Sequence, residues 1–396
     1  MTKSFDILCF GPEWRPEAPV STKHIVTRLS RGKSVLWINP LPLQLPKYKN
    51  IISDRTLRRK ILNKLKSHSK ILRKSRNTWI LTPFYLPIYG HGVIGRLNKF
   101  LYKTQIQLAI NYFLPREYLI YATATYNFLD VIDIINPTRQ HKIVFQYADM
   151  LSSLRGVTAA NFAEFCKKDA MVLRVADLVL CSSRRIFDSL VRYDGSASKM
   201  HYFPHGIDYV LFEDARRNPI MIREMEKIAQ PVIGYFGSLS DANDKAALKY
   251  CAEKRPNWNF VLIGGPLIGD YSMLFQYPNV HFLGSKPHHL IPHYGRYFQV
   301  GLLNWLPHDW IKHCYPVKTL EYLALGLPIV STPIDELRLN FSDFVTFAIE
   351  PDDYLGAIEK ALQDDSEACR VARSTAVKNE TWDSRVDKLR EWIEDL

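Results

Sequence analysis

The chain alternates strand and helix patterns twice, and a polar break separates the two runs. FDILCF (5–10) is a short apolar run ending at Gly11-Pro12, the pattern of a buried strand entering a loop. Ser21 is placed to cap a helix that carries Ile25, Val26 and Leu29 and ends at Gly32. SVLWINP (34–40) then reads as a second strand. A strand–helix–strand opening requires a crossover and therefore parallel strands. TWILTP (78–83), YLIYAT (118–123), KIVFQYA (142–148), DLVLCSS (177–183) and KMHYFP (199–204) continue the pattern. Residues 205–230 are polar and charged. A second alternation begins at VIGYFG (232–237) and runs through NFVLIGG (259–265), VHFLG (280–284), QVGLLNW (299–305) and PIVST (328–332). Helices are expected around 242–254, around 288–297 and from 316. Two such halves predict an α/β chain of two doubly wound domains, 1–210 and 211–380, facing a cleft. In the tail, 381–396, Trp382, Val386, Leu389 and Trp392 recur at helical spacing, so a helix closing back on the body is expected.

Composition narrows the class. With 396 residues, 47% hydrophobic and 23% charged, the chain is globular and buries its core without staples. Six scattered cysteines with no CxxC argue against a zinc site and a disulfide framework. The loop GPEWRPEAP lacks GxGxxG, so the dinucleotide fingerprint is absent. No apolar stretch is long enough to span a bilayer, and the opening apolar run is too short for a signal peptide. A soluble, cytoplasmic protein is the expectation.

The net charge is +12, and residues 55–76 carry ten basic residues and no acid. The excess is thus one local device. Leu57, Ile61 and Leu65 recur every four residues, so the run reads as a basic amphipathic helix. Such a helix suits an anionic membrane surface, at about 1 kcal/mol per cation near the lipid. A solvated helix docked by its own leucines is the alternative. Nucleic acid is disfavoured, because the run has no aromatic residue to stack a base.

The most informative stretch is HCYPVKTLEYLALGLPIVSTP (313–333). Pro316 suits the first helical position, and the free N–H groups beside it form an anion site with the helix dipole. Lys318 adds a full charge in the first turn. Glu321 follows on the same face, spaced to accept both hydroxyls of a ribose. Leu320, Leu323 and Ala324 face the sheet. The same spacing also fits an ordinary helix with a surface Lys–Glu pair.

These residues carry a resemblance. PVKTLEYLALGLPIVSTPIDEL resembles the K-x-x-E-Y-L-A-x-G-x-P-V-V-x-T signature of GT-B glycosyltransferases, in particular family 4 and the teichuronic-acid-type bacterial enzymes. VADLVLCSSRRIFDSL (175–190), YFPHGIDYVLF (202–212, with His205 where the family has asparagine) and PVIGYFGSLSDANDKAAL (231–248) follow in the family's order. The match is good from about residue 140 onward and general before it.

The resemblance implies two Rossmann-like domains and a retaining transfer from a nucleoside diphosphate sugar to a glycan or lipid-linked acceptor. That chemistry belongs to cell-surface polysaccharide synthesis at the inner face of the membrane, with no cofactor and no metal. It implies that Glu321 binds the ribose, and that Lys318, with Tyr315, Pro316 and Val317 around the helix start, binds the diphosphate. Gly237 and Ser238 approach the phosphates, and Gly11 lies in the loop over them. Lys245 either adds a second charge or is a helix-surface lysine. His313 stands where many relatives have an acid that contacts the donor sugar. Asp149, ending a strand at the cleft, either orients or deprotonates the acceptor hydroxyl or caps the following segment. A nucleotide-sugar epimerase of the same fold and a non-catalytic scaffold are the rival readings.

Overall fold

The computed structural model describes residues 4–396 except 16–19, 42–71, 87–92, 115–116, 124, 155–156 and 195–196, and counts below refer to the described residues. Two sheets organise the chain. The first comprises β1 (Ile7–Phe10), β2 (Val35–Ile38), β3 (Leu72–Ser75), β4 (Thr78–Leu81), β5 (Leu119–Thr123), β6 (Ile143–Tyr147), β7 (Leu178–Cys181) and β8 (Met200–Tyr202). Their spatial order is 3-4-2-1-5-6-7-8. The second comprises β9 (Val232–Phe236), β10 (Asn259–Ile263), β11 (Val280–Gly284), β12 (Val300–Leu303), β13 (Ile329–Ser331) and β14 (Val345–Phe347), in the order 11-10-9-12-13-14. Every pairing is parallel except β3 with β4. The central strands are buried along their whole length, as parallel strands covered on both faces are.

The first sheet is flanked by α1 (Ser21–Ser30), α2 (Val93–Phe113), α3 (Ile132–Ile135), α4 (Ala159–Val175) and α5 (Arg184–Asp194). α6 (Tyr209–Arg217) lies within the polar break and packs Tyr209 and Phe212 into the second core. The second sheet carries α7 (Lys245–Lys254), α8 (Ile291–Gly295), α9 (Asp309–His313), α10 (Val317–Ala324), α11 (Asp335–Phe341), α12 (Pro351–Gln363) and α13 (Glu367–Ala376). The chain ends with α14 (Trp382–Glu394).

The doubly wound α/β architecture and the closing helix stand as the sequence predicts, with local corrections. Val20, not Ser21, is the N-cap of α1, and it makes no side-chain cap bond. Pro316 is the N-cap of α10, and Val317 is its first residue. Most of the basic run, including Leu57, Ile61 and Leu65, lies outside the described residues. Its end is not helical: Leu72–Ser75 form an edge strand that returns on β4 through a tight turn at Arg76-Asn77. Arg76 takes a φ of 53° there.

α14 returns across the molecule. Trp382, Val386, Leu389 and Ile393 join Ile25, Val26 and Leu29 of α1 in one cluster on a face of the first sheet. Trp392 is only partly buried and rests on His201, ring centres 4.1 Å apart. Leu389 is fully buried. Leu389→Ala is expected to cost about 2–5 kcal/mol, the usual range for a core leucine. Urea unfolding of the full chain measures it.

Candidate functional site

The site begins at α10. Thr319, Leu320, Tyr322, Leu323 and Ala324 are buried and fix the helix against the second sheet. Its start therefore points at the loop after β9. Gly237 opens that loop at a φ of +139°, a conformation that side chains disfavour. A Cβ there would also strike Cε of Lys318. Gly237 thus serves both backbone conformation and close approach. The Lys318 ammonium lies over the faces of Trp305 (5.4 Å) and Tyr235 (5.7 Å). It makes no ion pair with another described residue. Its charge is held over aromatic faces, which do not neutralise it, and it adds to the positive end of the helix dipole. Glu321 sits one turn further, with Oε1 3.5 Å from Nε2 of His288.

These groups line a cavity of about 650 Å³ between the two domains. The second domain contributes Gly237, Ser238, Gly264, Gly265, the Ser285–His288 loop, Val317, Lys318 and Glu321. The first contributes Ser21 and His24 from the start of α1; the connection adds residues 205–208, and α14 adds Trp382. The volume is ample for a nucleotide-sized ligand.

Two histidines shape the wall opposite Lys318. His24 stacks flat on Trp382, centres 5.0 Å apart, with Nδ1 3.5 Å from Asp208. Burial pulls its pKa down to about 4 against the pull of Asp208. His205 packs edge-on to Tyr315 at 6.0 Å, and its buried Nδ1 has no hydrogen-bond partner. Burial, with Arg385 nearby, likewise pulls it down to about 4. Both imidazoles are therefore neutral at pH 7. Asp208 is paired to Arg28 at 2.7 Å, and Lys286 to Glu224 at 2.6 Å.

Ser238, Gly237, Val317, Lys318 and Glu321 meet in this cavity; the other sequence-predicted residues do not line it. Tyr315 is buried behind His205, and Pro316 caps α10. Gly11 is buried against Trp37, where any Cβ would collide with the indole. Lys245 pairs with Asp241 at 2.8 Å and lies over Tyr271. His313 ends α9 with Nδ1 2.7 Å from the Asp309 carbonyl. Asp149 reaches across the cleft: its Oδ1 accepts the indole N–H of Trp310 at 2.8 Å. Its carboxylate is open to water, yet the surrounding cleft walls desolvate it and raise its pKa, partly offset by that hydrogen bond.

Sequence reasoning missed His24, His205, Asp208, the Ser285–His288 loop and Trp382. The loop had a signal, since it follows a parallel strand on the carboxyl side, where α/β sheets bind ligands. It also missed Glu336. This fully buried carboxylate accepts the backbone N–H of Arg184 and the hydroxyl of Tyr202 (2.7 Å), both from the first domain. A smaller cavity of about 230 Å³ lies in the first domain, where Leu41, Tyr85 and Asn127 follow strands β2, β4 and β5 beside α2.

Two facing parallel sheets, a cavity at their carboxyl ends and a returning terminal helix define the GT-B fold of glycosyltransferases. The sucrose-phosphate synthase of Thermosynechococcus elongatus matches at TM-score 0.69 with 13% identity, covering 99% of each chain. HepE of Anabaena, solved with UDP and glucose, matches at TM-score 0.69 with 17% identity, over 99% of this chain and 100% of that one. In sequence, the chain is 24% identical over 256 residues to TuaH of Bacillus subtilis (strain 168), whose name assigns it to teichuronic acid biosynthesis as a glycosyltransferase. That match covers 61% of this chain and 64% of TuaH. No family model matches the chain.

His205 gives the site a pH signature. Its native pKa is depressed from 6.5 to about 4, so the unfolded chain binds more protons between those values. Stability is complete above about pH 6.5 and falls as the pH drops towards 4. His205→Asn should show a smaller loss of thermal midpoint between pH 7 and pH 5 than the native protein, measured by differential scanning calorimetry.

Proposed function

We propose that the protein is a glycosyltransferase that moves a sugar from a UDP-sugar to a glycan or lipid-linked acceptor in cell-surface polysaccharide synthesis. The observation that carries this reading is Lys318, an unneutralised cation at a helix N-terminus over Gly237, with Glu321 one turn away in the interdomain cavity. The UDP complexes of HepE and the name of TuaH support it.

In this reading the diphosphate lies at the start of α10, held by Lys318 and the backbone at Gly237 and Ser238. Glu321 accepts the ribose hydroxyls. As the bond from the anomeric carbon to the diphosphate breaks, charge develops on the leaving oxygen. Lys318 and the free N–H groups of α10 stabilise it where it forms. The acceptor hydroxyl enters from the first domain, oriented by Asp149. It attacks from the face the diphosphate leaves, giving retention, and its proton passes to the leaving phosphate. The residues of this chain supply the positive charge in every step described. The basic run 55–76 draws the enzyme to an anionic membrane on its cytoplasmic side.

An epimerase reading has one observation in its favour: His24, His205, His288, Asp208 and Glu321 share the cavity, a set with several proton carriers. NMR of UDP-sugars incubated with the protein and no acceptor separates the two, since only an epimerase produces a new sugar.

A screen of UDP, GDP, ADP, CMP and dTDP by thermal shift tests the donor site. UDP at a hundredfold excess over its dissociation constant should stabilise the native protein by about 2.7 kcal/mol. Lys318→Ala should weaken UDP binding by about ten- to a hundredfold, the worth of a charged hydrogen bond. Glu321→Ala should also weaken it while leaving the ligand-free midpoint near the native value. A native protein that no nucleotide stabilises sinks the reading and favours a scaffold.

A further inference from the structure

We infer that α2 is a membrane-docking helix, which lays an apolar stripe into an anionic lipid surface. Val93, Leu97, Phe100, Leu108 and Tyr112 are exposed by 76, 42, 64, 63 and 82%. They recur once per turn along one face, interrupted only by Thr104. No other helix among the described residues exposes more than two large apolar side chains. The opposite face is ordinary core: Tyr102, Ile106, Ala109 and Ile110 are buried. The helix is thus apolar on both sides, which a water-facing helix is not.

Charge selects the occupant. α2 has no acidic residue in 21 positions. Lys103 pairs with Asp133 of α3, while Arg96 and Lys99 are exposed and make no ion pair with another described residue. The basic run also arrives at this edge. Its last residues form β3, which pairs with β4 so that Lys74 stands opposite Trp79. Trp79 packs on Phe113 at the end of α2, ring centres 4.4 Å apart. The described end of the cationic run and the apolar stripe therefore share one edge of the first sheet. Apolar side chains beside cations, on a helix whose only described acidic neighbours are Asp130 and Asp133 behind Lys99 and Lys103, match the boundary of an anionic bilayer. α2 lies on that surface and does not cross it, since no described helix is long and apolar enough to span a membrane.

The inference deepens the proposed membrane association and rests on it. The test is co-sedimentation of the full chain with vesicles of phosphatidylcholine alone and of phosphatidylcholine with phosphatidylglycerol, at low and high salt. Three proteins are compared: native, Leu97→Ser/Phe100→Ser/Leu108→Ser, and Lys64→Gln/Lys66→Gln/Lys70→Gln. UDP thermal shifts and light scattering check that all three keep the donor site and one oligomeric state. The native protein should prefer phosphatidylglycerol vesicles. The serine variant should lose at least tenfold in binding at both salts, and the glutamine variant should lose mainly the salt-sensitive part. A serine variant that binds like the native protein overturns the role of α2 and leaves the basic run as the contact. Native protein that binds neither vesicle overturns both membrane statements, while UDP binding stands or falls separately. A native dimer that the serine substitutions dissociate, without vesicle binding, makes the stripe a contact between copies and overturns the inference.

Discussion

The packing of α14 on α1 makes the cavity possible. Each sheet has its own core, so nothing in either half alone fixes how the two face each other. Arg28 marks the joint: it reaches Asp208 of the connection at 2.7 Å and Asp383 of α14 at 3.2 Å, while Arg390 donates to its carbonyl. These partly exposed ion pairs contribute about 1 kcal/mol or less each. Burial of Val386, Leu389 and Ile393 contributes about 1.5–3 kcal/mol per side chain. Packing therefore holds α14 on the first domain more than charge does. The same contact places Trp382 beneath His24, so one helix both joins the halves and finishes the cavity wall.

The two sides of the cleft are prepared differently. On the second-domain side the cation, the helix terminus and the close-approach glycine are fixed by buried neighbours, so the diphosphate of the proposed donor would meet them with little rearrangement. On the first-domain side Asp149 is bonded to Trp310 from the opposite half. An acceptor hydroxyl that approached Asp149 would compete with that indole. Glu336, in contrast, is a buried carboxylate whose partners all lie at the interface, and burial raises its pKa. Pulling the halves apart would strip it of the Arg184 and Tyr202 contacts, so the joint resists opening at this point more than at Asp149.

How much of this was legible in the sequence follows from the range of the interactions. Strands of a parallel sheet are apolar on both faces, so ILCF, VLWI and VIGYF announce themselves locally. The α10 cluster was legible because Lys318 and Glu321 are one turn apart on a single helix. His24, Asp208 and Trp382 come from three distant segments, and no local spacing encodes their meeting. Gly11 looked like a ligand glycine because it ends β1, but its lack of a side chain accommodates Trp37. The basic run misled at its end for a local reason. The turn at Arg76-Asn77 allows residues 72–75 to pair with β4, and tertiary pairing overrode the helical period read upstream.

The placement of α2 links surface and site. It is pinned to the segment after β4: Asn98 bonds both backbone groups of Leu86, and Gln105 both those of Phe84. That segment follows the carboxyl end of a parallel strand, the side of the sheet that faces the cleft. The exposed stripe thus lies on the helix that is held beside this end of the first sheet. A surface bound along the stripe lies near the smaller cavity, which Asn98 and Tyr102 of the same helix line. An acceptor anchored in that surface would reach the cleft from the first-domain side, opposite Lys318. On the proposed function, donor and acceptor would then enter by separate routes, and neither would have to leave for the other to arrive.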